Sequence, residues 1–317
     1  MQKSRNLGID ILCCFGVMML LGLQYIDAVG YFNDPISSWD AAAPVAARWF
    51  CLSGAMVLSA GTGYALGSKK FSLGYFKIFI RLIYVYVLGT AFALLFRVFM
   101  LHEEITWIGA VQAFVQFTAT DTGIFAGMYF ALLLAAPFLN AAMQGLPSRQ
   151  ARLTFLIIAA AFSTLQPMLW FNDIYLLPEW CGALFPAAAY IAGAYMKRYS
   201  KRKHVVLMCL ILVLICAAET AAVMYASLTK ESLWCPWLDS VASLPCFGIA
   251  VCLLGIFYSK KKGNGSVHRF FAGVAGGALA ALLLGDPLID VALPAVVEQF
   301  MDMQYQFWAG IVMSPSF

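Results

Sequence analysis

Apolar residues do not alternate with polar ones along this chain; they come in long runs, separated by short polar connections. A helix needs about 20 consecutive apolar residues to cross the hydrocarbon core of a bilayer. Nine runs meet that length: residues 7–27, 43–66, 75–101, 123–146, 153–171, 178–196, 205–228, 240–259 and 268–286. The pattern predicts an all-α, polytopic transmembrane helix bundle. The segment "ITWIGAVQAFVQFTA" (105–119) is apolar but short, which suits an interfacial or re-entrant piece. A further apolar run begins at Phe307 and stops with the chain at Phe317, about half a span, and reads as a partial tenth helix. The longest connections, near 28–42 and 287–306, are too short for a soluble domain, so residues 1–317 form one membrane-embedded domain.

Composition agrees with lipid as the main solvent. Of 317 residues, 62% are hydrophobic and 11% charged, with a mean hydropathy of +0.82; soluble domains carry about 25% charged residues. The first run is too long for the core of a signal peptide and is followed by more of its kind.

Charge orients the runs. Seventeen of the 20 basic residues fall before the first run, or at every second connection after it and the start of the run that follows: Lys3 and Arg5; Lys69, Lys70, Lys77 and Arg81; Arg149 and Arg152; "KRYSKRK" (197–203); and "KKK" (260–262) with Arg269. The intervening connections hold acids, among them Asp27, Asp34, Asp40, Glu103, Glu104, Asp173, Glu179, Glu231 and Asp239. Positive residues stay on the cytoplasmic side, so the N-terminus is expected in the cytoplasm, and 105–119 is expected not to cross.

The polar residues left inside the runs are the candidates for chemistry. Asp10 stands near the start of "GIDILCCFGVMMLLGLQYI" (8–26), where an acid in the first turn also complements the helix dipole. Gln24 lies about 21 Å further along the same helix. Arg48 and Arg97 sit at outer ends, away from the other cations, either snorkelling to the interface or offering a guanidinium to an anion or carbonyl oxygen. Glu219, in "LICAAETAAVMYA", is mid-run, where a carboxylate costs about 2.5–3.5 kcal/mol on insertion scales. It is expected to face the bundle interior, serving packing specificity or a proton path. The nine cysteines show no ligand spacing, and with three histidines no metal site is expected; Cys181 and Cys235 fall near outer helix ends, where they could pair.

Five stretches in order resemble the acyltransferase 3 family of integral membrane O-acyltransferases. They are "RNLGIDIL" (5–12), "RWFCLSGAMVL" (48–58) with its Phe50, Ser53 and Gly54, "YFKIFIRLIYVYV" (75–87), "MYFALLLAAPFL" (128–139) ending on Pro137, and "FPAAAYIAGAYMKR" (185–198). The family's first helix usually carries Arg three residues after the Asp and His eleven after that; here those places hold Cys13 and Gln24. Its basic pair before the third helix is reduced to Arg81, with Lys77 nearby, and a late His is replaced by Asp286.

The resemblance implies a multi-pass protein of the bacterial cytoplasmic membrane that moves an acyl group, acetyl above all, from acyl-CoA to a hydroxyl of a cell-surface saccharide or similar acceptor. It places Asp10, Gln24 and Asp286 in catalytic positions and Arg48, Ser53, Lys77 and Arg81 in substrate-binding ones; Arg97 and Glu219 join the substrate-binding candidates through their place in the apolar runs. Asp10, Arg48, Arg81 and Asp286 are expected around one cavity. Because a Gln amide cannot take a proton from an attacking hydroxyl as a His can, a second reading keeps the fold and drops the chemistry. The protein would then bind or transport a small molecule or lipid-linked sugar.

Overall fold

The computed structural model describes residues 6–29, 32, 36, 38–69, 73–119, 123–171, 174–175, 177–199, 204–230, 240–258 and 266–299. Among these the chain forms helices α1 (Leu7–Val29), α2 (Ala42–Leu52), α3 (Gly54–Leu66), α4 (Leu73–Met100), α5 (Trp107–Gln116) and α6 (Gly123–Gly145). Then follow α7 (Arg149–Thr164), α8 (Phe185–Tyr199), α9 (Val205–Lys230), α10 (Leu244–Phe257) and α11 (Ser266–Gln299). The only strands among the described residues are a two-residue hairpin, Trp170–Phe171 against Ile174–Tyr175.

Hydroxyl caps start several helices where the sequence supplies them. Thr106 accepts from the Gly109 N–H at the head of α5, Ser148 from Ala151 at α7, and Ser243 from Cys246 at α10. Among the described residues, five helical stretches are long and apolar enough to cross a membrane: Leu7–Val29, Trp39–Leu66, Phe79–Met100, Gly123–Gly145 and Val205–Lys230. Their outward faces are apolar. On α4, Ile80, Tyr84, Phe92 and Phe99 are exposed, and on α9, Val206, Leu210, Val213 and Leu214. Soluble monomers rarely leave surfaces of that kind uncovered; a lipid environment accounts for them.

Small residues let the inner helices touch. A Cβ added at Gly63 of α3 would overlap the carbonyl of Tyr190 on α8, and one added at Gly193 would overlap the carbonyl of Ala60. The two glycines are reciprocal, so α3 and α8 meet backbone to backbone, as small residues permit in membranes. Around this contact lies the main core, where Trp49, Tyr190, Phe185, Met56 and Met224 are fully buried.

The elements depart from the expected runs in three places. The second run, expected as one helix over 43–66, breaks at Ser53. The Ser53 N–H turns to the Phe50 carbonyl (3.3 Å) and its Oγ donates to the same oxygen (2.8 Å), tightening one turn between α2 and α3. The runs expected over 153–171 and 178–196 yield helices of only 16 and 15 residues. Pro167 and Pro178 begin or precede short 3₁₀ turns between them, since proline cannot continue the hydrogen-bond ladder. Conversely, α11 does not stop at Asp286 but continues through Pro287 and Pro294 to Gln299. At 34 residues it is about 51 Å long, well beyond a bilayer core. The segment 105–119 gives a helix of 10 residues, too short to span. The partial tenth helix from Phe307 and the Cys235 half of the suggested cysteine pair lie outside the described residues.

Candidate functional site

A partly open cavity of about 90 Å³ lies between α1, α3, α4, α6, α11 and the head of α8. Its wall is mostly apolar, with Leu20, Leu58, Phe125, Phe185 and Leu282 among its residues. Polarity is confined to Ser59, Thr62, Tyr129 and the thiol-bearing Cys13. Ser59 and Thr62 belong to the stripe Ala55, Ser59, Thr62, which repeats every three to four residues and therefore lies on one face of α3. The Thr62 hydroxyl and the Tyr129 phenol are 3.0 Å apart and share a hydrogen bond, while Ser59 Oγ donates to the Ala55 carbonyl at 2.9 Å. One hydroxyl pair thus stands in a nearly apolar chamber. Sequence reasoning missed these residues, because single hydroxyls in an apolar run resemble packing; the α3 stripe was the available signal.

Among the described residues, none of the expected site residues lines this chamber. Gln24 packs against α11. Gln24 is buried, its Nε2 donates to the Leu282 carbonyl at 3.4 Å, and a Cβ at Gly285 would lie 2.5 Å from its Oε1. Asp286 follows directly on α11; its side chain lies outside the described residues. Asp10 is buried in the first turn of α1, where Asn6 supplies the backbone acceptor for the Ile9 and Asp10 N–H groups. One turn further on, the Cys14 thiol donates to the Phe271 carbonyl of α11 at 3.3 Å.

The expectation of one cavity around Asp10, Arg48, Arg81 and Asp286 does not hold. Arg48 Nε donates to Asp27 Oδ1 at 3.2 Å. Asp27 is 17 residues beyond Asp10 on the same continuous helix, about 25 Å away, so Asp10 and Arg48 occupy opposite ends of the bundle. Arg48 also lies over the Phe32 and Trp49 rings at 5.9 and 5.4 Å. Arg81 and Lys77 project from α4 as exposed residues.

The other expected binding residues are committed elsewhere. Arg97 closes the α4–α5 connection: Nε and Nη2 reach Glu103 Oε2 at 2.9 and 2.6 Å, and Nη1 donates to the Ala119 carbonyl at 2.8 Å. Ser53 spends its hydroxyl on the helix break. Glu219 is buried on the face of α9 that packs on α2 and α10, away from the cavity.

One end of the bundle is tied together by basic side chains. Lys197 Nζ donates to the Ala65 carbonyl (3.1 Å) and Ser68 Oγ (2.9 Å), and Arg152 donates to the Met143 and Leu146 carbonyls at 2.7 and 2.6 Å and to the Tyr199 hydroxyl. Arg149 reaches the Tyr195 hydroxyl at 3.3 Å and lies over the Tyr199 ring. The ends of α3, α6 and α8 and the start of α7 therefore share one basic face.

Fold and site together define the class: a helical membrane protein with an apolar chamber inside the bundle. Compared with models of protein families, with curated proteins and with solved structures, the chain matches none of them.

Proposed function

We propose that the protein handles an acyl group inside the membrane, as an O-acyltransferase of the acyltransferase 3 kind. It would have nine crossings and a cytoplasmic N-terminus in a bacterial cytoplasmic membrane. One observation carries the reading: the stretches that resemble the family converge on the chamber. Ala55 and Leu58 come from the second, Leu82 from the third, Met128 and Tyr129 from the fourth, and Phe185 and Pro186 from the fifth; Cys13 directly follows the first. An apolar wall with one hydroxyl pair suits an acyl chain whose carbonyl end accepts a hydrogen bond. Acyl-CoA would approach from the basic face, and a saccharide or other hydroxyl acceptor would meet the acyl group in the bundle. The gathering of Arg149, Arg152 and Lys197 at one end, opposite the Arg48–Asp27 and Arg97–Glu103 pairs, supports the orientation.

A second reading, binding or transport of a small molecule or lipid-linked sugar without transfer, is favoured by one specific contact. Gln24 holds an α11 carbonyl with its amide, and the described residues of the chamber wall include no carboxylate or histidine to act as a base. Incubating the purified protein with radiolabelled acetyl-CoA and a hydroxyl acceptor decides between them. Acyl transfer or thioester hydrolysis above background supports the transferase; neither supports the binding protein.

A further inference from the structure

Glu219 lies midway along α9, about 21 Å from the Val205 end and about 16 Å from the Lys230 end. Most of α9 faces outward; its buried residues are Glu219, Val223, Met224 and Ser227, a single stripe that packs on α2 and α10. Glu219 is 4% exposed, and neither Oε1 nor Oε2 has a hydrogen-bond partner among the described residues. Nor does any ion pair among them include it.

Among the described residues, no cation on the neighbouring helices α2 and α10 pairs with this carboxyl. On α2, Arg48 engages Asp27, and Cys51 points to α1, where a Cβ on Gly22 would meet its sulfur at 3.2 Å. On α10, Cys246 donates weakly to the Ser240 carbonyl. The titratable group within electrostatic reach among the described residues is Cys216, one turn back on α9, and it brings no positive charge. An ionised carboxylate at this depth, with no cation and no donor, is strongly disfavoured against its neutral acid.

We propose that Glu219 is a proton-binding site within the membrane, separate from the acyl chamber. The carboxyl holds a proton while α9 is seated on α2 and α10, and exchanges it when that contact opens to water. Proton uptake and release are thereby linked to the seating of α9. A purely structural role would need only a neutral amide of the same shape, and would involve no exchange.

Dicyclohexylcarbodiimide reads this state directly in the intact protein reconstituted in phosphatidylcholine vesicles. The protonated carboxyl gives its proton to one carbodiimide nitrogen while its oxygen bonds the central carbon; acyl migration to nitrogen then leaves a stable N-acylurea, with nothing lost. Peptide mass spectrometry should find one carbodiimide on Glu219, with a yield that falls about tenfold per pH unit once the titration point is passed. Infrared spectra should show a protonated-acid carbonyl band that moves in D₂O and is absent from Glu219→Gln, or shifted in Glu219→Asp should the amide variant not fold. Absence of both labelling and the acid band at acidic and neutral pH overturns the proposal. Labelling that never declines at alkaline pH overturns it equally, because such an acid does not exchange its proton.

Discussion

The hydroxyl pair in the chamber gives the sharpest statement at the residue scale. Thr62 and Tyr129 satisfy each other in surroundings that offer little else. Removing one partner strands the other and costs about 1–3 kcal/mol, whereas removing both costs less. Thr62→Val alone should therefore lower thermal stability in detergent more than Thr62→Val combined with Tyr129→Phe. A strictly additive double variant would contradict the pairing. Arg97 makes the same case at the periphery. It serves Glu103 and the Ala119 carbonyl together, so Arg97→Met should destabilise the α4–α5 connection and expose it to protease. Gln24 separates the two functional readings. If the fold carries transfer chemistry, a base placed there by Gln24→His should raise acetyl transfer by about 10²–10⁴-fold; no rise supports binding alone. These residues also mark where the sequence stopped being informative. That Arg97 and Ser53 were polar in an apolar setting was plain, but their partners, Ala119 and Phe50, are backbone carbonyls, which no residue pattern announces.

Among the elements, the meeting of α3 and α8 carries the packing argument. Gly63 and Gly193 each stand where a side chain would strike the opposite backbone. Gly193→Leu should force the two helices apart and abolish a monodisperse peak in size-exclusion chromatography, while Gly145→Ala, with open space around it, should leave the peak unchanged. The long membrane helices α1, α4, α6 and α9 were legible because hydropathy over 20 or more residues reports burial in lipid without reference to neighbours. The break at Ser53 was not, since it rests on the Ser53 hydroxyl and N–H turning to the Phe50 carbonyl. The continuation of α11 was hidden for a related reason. Proline normally stops a helix in water, but neighbouring helices and local backbone adjustments tolerate it within a membrane bundle. The same tolerance keeps Pro137 inside α6.

For the molecule as a whole, the ends of the bundle and its middle do different things. One end gathers Arg149, Arg152 and Lys197 around Tyr195 and Tyr199. The other holds the Arg48–Asp27 and Arg97–Glu103 pairs, and the chamber lies between. This division explains why Asp10 and Arg48, both readable from the sequence as unusual, belong to separate places: identity shows which residues are out of keeping with lipid, and only helix length shows that α1 holds their surroundings apart. It also makes sidedness the premise on which the acyl-CoA approach, the acceptor side and the access of Glu219 all rest. Arg198 and Glu104 are exposed residues expected on opposite sides. Intact cells expressing Arg198→Cys or Glu104→Cys, treated with a membrane-impermeant maleimide and compared with the parent chain, test that premise most directly. Labelling at position 104 from outside, and at position 198 only after the membrane is opened, is the predicted result. Labelling of position 198 in sealed cells, or of both positions alike, contradicts it.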